Sequence, residues 1–417
     1  MRNSPFWWIL VALMILLDFY VFQAVKVVTA PATPRFRSIV YYSYWIVSGL
    51  SLVTLFLLPY LAPGPGSRMG RSVVFAIIIG LFFSKLIIAL FLLIDDVRRA
   101  IQWLAGKFFF TNTEGAEMQD GEKISRSAFL SWAGMLAGGG LFSTLIYGFG
   151  NKYRYQVKKV AMQFPNLPEA FRGLKIAQLS DIHSGSFTDR AAVAKGVEKL
   201  MEQKPDLILF TGDLVNNTAD EMEPYIEVFS SLRAPLGVYS ILGNHDYGDY
   251  VSWESDAHKT ANLQRLKEVH QAMGWRLLMN EHVPLEKDGQ AIALLGVENW
   301  SAKARFPKHG DLAKAHAGTG AYPFKILMSH DPSHWDAQVK PEYPDIDLML
   351  SGHTHGMQFG IEIPGFRWSP VKYIYKQWAG LYEETAQKLY VNRGYGFIGY
   401  PGRVGILPEI TLIELNT

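Results

Sequence analysis

The sequence predicts an α/β second half preceded by an all-α, membrane-spanning first half, and three observations carry that expectation. Apolar runs long enough to cross a bilayer are confined to about residues 6–150. From about residue 155 they give way to short apolar runs, separated at first by helical stretches. The histidines divide the same way: the first 150 residues have none, and all 11 fall at or after His183.

A helix needs roughly 20 residues to span a hydrocarbon core of about 30 Å. Residues 6–28, 39–61 and 72–94 meet that length, so residues 1–94 are expected to hold three transmembrane helices. Trp7 and Trp8 open the first, and Tyr41, Tyr42, Tyr44 and Trp45 open the second, as interfacial aromatics do. The turn between the second and third is expected at Pro63-Gly64-Pro65-Gly66. Residues 128–150 are a fourth candidate, diluted by Gly138, Gly139 and Gly140; insertion is favoured because nothing apolar lies beside them in sequence to cover them. Asp18 and Lys85 lie in the first and third spans, which run the same way. The two charges are expected at similar depth, as a mutual pair facing the bundle interior, with a proton or ion pathway as the functional alternative. Residues 95–127 read as a linker: an interfacial helix around Trp103 and Phe108 to Phe110, then a polar loop from Thr111 to Lys123.

Loop lysines and arginines divide eight against seven between the two sides, so the positive-inside rule leaves orientation open. Ser125-Arg126-Ser127-Ala128-Phe129-Leu130 resembles a twin-arginine export signal with Ser127 in place of the second arginine. On that reading this is a multi-pass protein of a bacterial inner membrane whose second half is exported, the cytoplasmic side being the alternative. A net charge of +2 over 417 residues sets up no global field towards nucleic acid, and no nucleic-acid partner is expected. Cysteine is absent, which excludes disulfides and thiolate ligands.

In residues 155–417, strands are expected at 174–180, 206–211, 236–242, 291–297, 324–329 and 346–351, with helices at 188–204 and 220–233. Strand–helix–strand alternation implies right-handed crossovers and a largely parallel sheet. Segments 275–297 and 387–415 read as little helix, so a second, more antiparallel sheet should pack on the first.

Metal-ligand side chains follow these strands: Asp181-Ile182-His183, Gly212-Asp213, Gly243-Asn244-His245-Asp246, His330, and Gly352-His353-Thr354-His355-Gly356. Strand ends are rigid mounts, so segments far apart in sequence can converge on one site. The chemistry such a set suits is phosphoester hydrolysis. Anionic oxygens repel a nucleophile and the leaving alkoxide is poor; two cations about 3.5–4 Å apart offset the repulsion and lower the pKa of a bridging water. Two cations that close need a shared anionic ligand, for which Asp213 is the best candidate. His, Asp and Asn donors suit Mn, Fe or Zn. Asp181 and His183 can face one metal, His353 and His355 can divide between the two, Asn244 supplies a neutral oxygen, and His330 completes the second set. His245 is the candidate acid for the leaving oxygen.

This ordered series resembles the calcineurin-like metallophosphoesterase superfamily. The tail Asn392-Arg393-Gly394-Tyr395-Gly396, Pro401-Gly402-Arg403 and Pro408-Glu409-Ile410 is similar to its membrane-associated bacterial branch. The resemblance covers about residues 170–415. It implies a four-layer α/β/β/α sandwich, two mixed sheets flanked by helices. It also implies a first metal on Asp181, His183, Asp213 and His355, and a second on Asp213, Asn244, His330 and His353. Two positions depart from the pattern. Asn216 stands where relatives carry an acid that orients the catalytic histidine; its amide is expected to orient His245 without offsetting its charge. Met357 replaces a glycine and should narrow the mouth of the site.

Asn216 and Arg403 are the candidate substrate-side residues, Arg403 as a clamp on a phosphate oxygen or else a structural ion pair. His258, His270, His282, His309 and His316 are expected at the surface, and His334 in solvent or behind His330. The aromatic stretch from Phe366 to Trp378 reads as core packing or as a greasy entrance near the bilayer. The expected activity is hydrolysis of a phosphodiester or diphosphate on an amphiphilic, lipid-linked substrate. A UDP-2,3-diacylglucosamine-type pyrophosphatase of lipid A assembly, which needs a cytoplasmic site, is the alternative within the enzyme class. A transporter or sensor with a regulatory metal-binding domain is the alternative outside it.

Overall fold

The structure is a computed structural model that describes residues 5–60, 65–109 and 126–417. The chain divides into two units, Met1–Tyr147 and Gly148–Thr417. The expected turn at Pro63 and Gly64, the polar loop 111–123 and Ser125 lie outside the described residues.

The first unit is built from helices α1 (Pro5–Thr29), α2 (Pro34–Leu57), α3 (Pro65–Phe109) and α4 (Ala128–Gly148). Among the described residues these four are long and apolar enough to cross a membrane. Met14, Leu17, Val21 and Ala24 of α1 pack with Leu55, Ile78, Phe82 and Leu92, while Leu16, Phe19, Ile46 and Leu50 face outwards, as hydrocarbon permits. Of the three glycines that dilute α4, Gly138 has a packing reason, whereas Gly139 and Gly140 face open space. A Cβ on Gly138 would lie 2.6 Å from the Ser84 carbonyl oxygen, so the small residue lets α4 approach α3 closely.

Inside this unit Lys85 Nζ pairs with Asp18 Oδ1. Ser48 Oγ donates to the same oxygen at 2.8 Å, and Tyr44 OH to the Asp18 carbonyl at 2.8 Å. The third span and the helix expected after residue 94 are continuous: α3 runs as one helix to Phe109. It can do so because Asp95 and Asp96 are partnered. Asp95 accepts from the Ser127 N–H (2.9 Å) and Arg98 Nε (2.9 Å), and Asp96 from Tyr20 OH (2.7 Å), with Arg126 at 3.0 Å. Polar groups mid-helix are thus consumed in fixing the start of α4.

The second unit contains two six-stranded sheets. The first runs, in spatial order, β1 (Gln156–Gln163), β14 (Glu409–Asn416), β2 (Lys175–Leu179), β3 (Leu207–Phe210), β4 (Val238–Ser240) and β5 (Arg276–Leu277). The second runs β12 (Gly380–Glu384), β13 (Gln387–Val391), β9 (Leu348–Ser351), β8 (Lys325–Met328), β7 (Gln290–Gly296) and β6 (Glu281–Lys287). Both are mixed. β2 to β5 are parallel, with β14 antiparallel to β2; β7, β8, β9 and β13 are parallel, with antiparallel edges at β6 and β12.

Alternation along each strand builds the layers. Ile326, Met328, Leu348 and Leu350 point between the sheets, against Ile176, Leu207, Leu209 and Ile241. Leu327 and Met349 point outwards, under Leu312, Trp335 and Val339. On the far side lie α5 (Arg190–Met201), α6 (Ile226–Phe229) and α7 (Asp256–Ala272), which bury Val193, Leu200, Phe229 and Leu266. This is the four-layer sandwich. The helix expected over 220–233 is instead a 3-10 turn, Ala219–Met222, followed by the four-residue α6. Pro224 lies between them, and a proline inside a helix removes a hydrogen bond and clashes with the preceding turn. Helix α7, N-capped by Ser255, is an element the sequence reading did not anticipate.

Candidate active site

Five parallel strands, β2, β3, β4, β8 and β9, each release their chain within a few residues into a motif bearing a site side chain. Asp181, His183 and His355 come together as one group, and Asp213, His330 and His353 as a second. In the first, His183 Nε2 and His355 Nε2 are 3.0 Å apart, and Asp181 Oδ1 lies 3.2 Å from the His355 nitrogen. One Asp213 oxygen faces both groups: Oδ2 is 3.6 Å from His183 Nε2 and 3.0 Å from His330 Nε2.

Hydrogen bonds set which nitrogens are free. His330 Nδ1–H donates to the Thr211 carbonyl at 2.7 Å, which leaves Nε2 towards Asp213. Tyr375 OH donates to Asp331 Oδ2 at 3.1 Å and so accepts from His353 Nε2–H at 2.9 Å, which leaves His353 Nδ1 as a lone pair. Asn244 gives its NH₂ to Tyr250 OH at 2.8 Å. Asn244 Oδ1 and His353 Nδ1 are then buried with no hydrogen-bond partner among the described residues, and His330 Nε2 faces the Asp213 carboxylate at 3.0 Å. Buried polar atoms are rarely left so. Two such atoms, with His330 Nε2, around two carboxylates fit divalent cations of the N/O-preferring kind.

Burial pushes the His183 and His353 imidazoles below their ordinary values, which keeps them neutral. Burial would do the same to His330, but the Asp213 carboxylate raises it to about 10, so a cation must displace that proton. Burial would raise Asp181, yet His355 and His330 hold its carboxyl well below the usual range.

The backbone is strained where it carries these groups. Asp181, His183, Asp213, His353 and His355 all have left-handed φ, between 49° and 70°. Each such residue costs on the order of 1–3 kcal/mol, a cost that persists where the surroundings over-determine it. Here they do. The His353 N–H donates to both Asp181 oxygens at 3.0 Å, and the N–H groups of Asp213 (2.9 Å), Leu214 (2.8 Å) and Gly243 (2.8 Å) all donate to Asp246. A Cβ at Gly352 would lie 1.8 Å from Ser180 Oγ and 2.2 Å from Asp181 Oδ2, so only glycine lets β9 reach β2 here. Burial, then the charge of Asp213, pushes the Asp246 carboxyl up to about 7.

Both units of the chain resemble known proteins. Residues 174–357 match the family described as "Calcineurin-like phosphoesterase", and residues 1–151 match "Probable Calcineurin-like phosphoesterase, transmembrane domain". A Bacillus subtilis protein, "Uncharacterized metallophosphoesterase YkuE", is 30% identical over 305 residues, which are 71% of this chain and 99% of that one. The chain belongs to the calcineurin-like phosphoesterase family. The Danio rerio "Transmembrane protein with metallophosphoesterase domain" is 32% identical over 279 residues, 65% of this calcineurin-like chain; the alignment spans 60% of the fish protein's length. The Chlamydia trachomatis "UDP-2,3-diacylglucosamine pyrophosphatase LpxG" is 30% identical over 284 residues, 55% of this chain and 81% of that one.

Within this calcineurin-like site, four expectations need correction. The Asn216 amide does not orient His245. The Asn216 main-chain carbonyl does, accepting from His245 Nδ1–H at 2.8 Å, while the amide bonds Ser186 Oγ at 2.9 Å. Arg403 is fully buried, and its guanidinium donates to the carbonyls of Arg393 (2.7 Å), Gly394 (3.1 Å) and Gly396. It anchors the chain behind His355 and has no open face for a phosphate. His270 and His334 are buried, not surface residues; His334 is held by Ser329 Oγ (2.9 Å) and Gln338 Oε1 (2.8 Å) and stacks on Trp300. Sequence reasoning missed Asp331 and Tyr375 behind His353, and Asp246 behind Asp213. The adjacency of Asp331 to His330 and of Asp246 to His245 was the available signal.

Proposed function

We propose that this chain is a membrane-anchored dinuclear-metal phosphohydrolase that cleaves a phosphodiester or diphosphate in an amphiphilic, lipid-linked substrate. The observation that carries the reading is the pair of three-residue groups meeting at Asp213 Oδ2, with orphaned Asn244 and His353 atoms beside them. Asp181, His183, Asp213 and His355 would hold one divalent ion, and Asp213, Asn244, His330 and His353 the other, as Mn, Fe or Zn. When bound, such a pair supplies charge neutralisation for the phosphate oxygens and activation of water. The chain's own residues do the rest. The His245 N–H pins Asp213 Oδ1 at 2.8 Å, which directs Oδ2 at both groups. The Asn216 carbonyl holds His245 Nδ1–H, so Nε2 is the atom able to give a proton to the leaving oxygen.

Metal content of the full-length protein and its turnover of a chromogenic phosphodiester, with and without Asp213→Asn, test this reading; full activity in the variant overturns it. A second reading is a pyrophosphatase acting on a UDP-linked diacylated sugar, supported by 30% identity to the Chlamydia trachomatis protein of that printed activity. It requires a cytoplasmic active site, whereas the twin-arginine-like segment favours export; protease access in inverted vesicles against spheroplasts separates the two. The transporter or sensor reading predicts that Asp213→Asn leaves the phenotype intact.

A further inference from the structure

Next to the site's last motif, β10 (Ile361–Ile363) and β11 (Phe366–Trp368) form a separate two-stranded antiparallel ribbon. Its register pairs Ile361 with Trp368, Glu362 with Arg367 and Ile363 with Phe366. Side chains alternate between faces of a strand, so one face holds four apolar residues and the other an acid and a base. The polar face turns onto the body of the domain. Glu362 accepts from Arg393 at 2.6 Å, and the Arg367 guanidinium lies over Trp378 at 5.2 Å and Tyr382 at 5.6 Å.

The apolar face is left uncovered: Ile361, Ile363 and Phe366 are 49%, 58% and 52% exposed. Tyr373, 75% exposed, extends it, with its hydroxyl 3.5 Å from Trp368 Nε1. Beside it is a depression of about 660 Å³ where Arg367, Lys372 and Lys376 stand among Tyr373, Trp378 and Tyr382.

We infer that this ribbon docks on the surface of an anionic phospholipid bilayer, with Ile361, Ile363, Phe366 and Tyr373 entering the interface and a lipid phosphate seated among the three cations. Contiguous exposed apolar residues mark an interaction surface. An apolar face flanked by lysine and arginine and edged by Trp and Tyr matches a negatively charged membrane interface. A bilayer is also the partner held in reach, since β1 begins at Gln156, soon after the apolar helix α4 ends at Gly148. The inference goes beyond the hydrolytic reading, and its test reads no turnover.

The chain has no cysteine, so Phe366→Cys or Tyr373→Cys in the full-length protein provides a unique attachment point for a fluorophore. Gln271→Cys, exposed on α7, is the control. The labelled proteins are reconstituted in phosphatidylcholine vesicles, with and without phosphatidylglycerol, that contain nitroxide-labelled lipid as quencher. The ribbon labels are expected to be quenched several-fold more than the control, and more so with phosphatidylglycerol. Lys372→Gln and Lys376→Gln should each lower the docked fraction's ratio roughly five-fold. Quenching equal to the control in both lipids overturns the proposal. Quenching indifferent to phosphatidylglycerol and to both lysine changes overturns the headgroup assignment. Label-to-label self-quenching without lipid quenching assigns the face to a second copy of this chain and likewise overturns it.

Discussion

Two regions of this molecule bury charge, and they treat it in opposite ways. In the helical unit, Asp18 and Lys85 meet each other and Ser48, and Asp95 and Asp96 are matched by Arg98, Arg126, Tyr20 and the Ser127 N–H. In the sheet unit, Asp181 and Asp213 are surrounded by imidazoles on backbone held in left-handed conformations, and His353 Nδ1 and Asn244 Oδ1 have no hydrogen-bond partner among the described residues. Partnered charge on relaxed helix is what stability requires. Orphaned donors on strained loops are tolerated where a ligand is to complete them. The contrast separates a structural ion pair from a candidate ligand site.

The largest expected effect tests the orphaned side. Asp213→Asn removes the carboxylate that faces both groups, so several kcal/mol of transition-state stabilisation should vanish, on the order of a thousand-fold in kcat/KM. Metal content measured on the same preparation should fall with it. Thermal stability of the metal-free protein should change little, because the cost of burying the Asp213 charge disappears together with its attraction to His330, which can then release its proton.

Next in size is the partnered side. Asp18→Leu or Lys85→Met alone strands a charge in the bundle and should cost about 3–5 kcal/mol. The double replacement should recover most of it, since neither charge is then left alone. Unfolding in detergent reads both, and turnover per folded molecule should stay at the wild-type value. Persistent loss of turnover in the refolded double variant would show that the pair does more than hold helices together.

His270 probes the contrast from another direction. Neither of its ring nitrogens has a hydrogen-bond partner among the described residues, yet it sits apart from the two groups, among Phe210 and Trp275. Burial lowers its pKa to about 3, against 6.5 when unfolded. The folded state therefore refuses a proton that the unfolded state accepts. Stability from this group is complete above about pH 6.5 and falls as pH drops towards 3, by a few kcal/mol in all. In His270→Phe that part of the acid slope should disappear while metal content stays unchanged. An unaltered slope in Tm against pH would show that the imidazole reaches water.

How much of this was legible in the sequence follows from what each feature depends on. The strand ends could be read because a parallel strand buried on both faces is an unbroken apolar run, so the polar residues after Leu179, Phe210, Met328 and Ser351 stand out. Gly352 could be read too, because its motif is local. The left-handed φ at Asp181 or His355 could not, since non-glycine residues carry no mark of it. The carbonyl of Asn216, rather than its amide, holds His245, and a main-chain acceptor is invisible in a string of side chains. Arg403 misled for a related reason: its partners are carbonyls of Arg393, Gly394 and Gly396, fixed by tertiary packing alone. Pro224 was a local signal given too little weight against the apolar pattern around it.

The smallest expected effect is the most discriminating, because it leaves every proposed metal ligand in place. Tyr375 lies between His353 Nε2 and Asp331 Oδ2, with Ser301 Oγ also donating to that oxygen at 2.5 Å. Tyr375→Phe deletes one acceptor and keeps the ring. His353 could then turn to Asp331, 3.6 Å away, so the ring's tautomer is loosened rather than reversed. Partners behind a ligating histidine are worth about 10–100-fold in metal affinity, and a partial loss should fall at the lower end. Metal titration should therefore show one weakened site and one unchanged, because Asp181, His183 and His355 do not touch Tyr375. Weakening of both sites together would mean that the two groups are coupled through Asp213 more tightly than their separate hydrogen-bond networks imply. No change at either would mean that Asp331 holds the His353 ring as well as Tyr375 does.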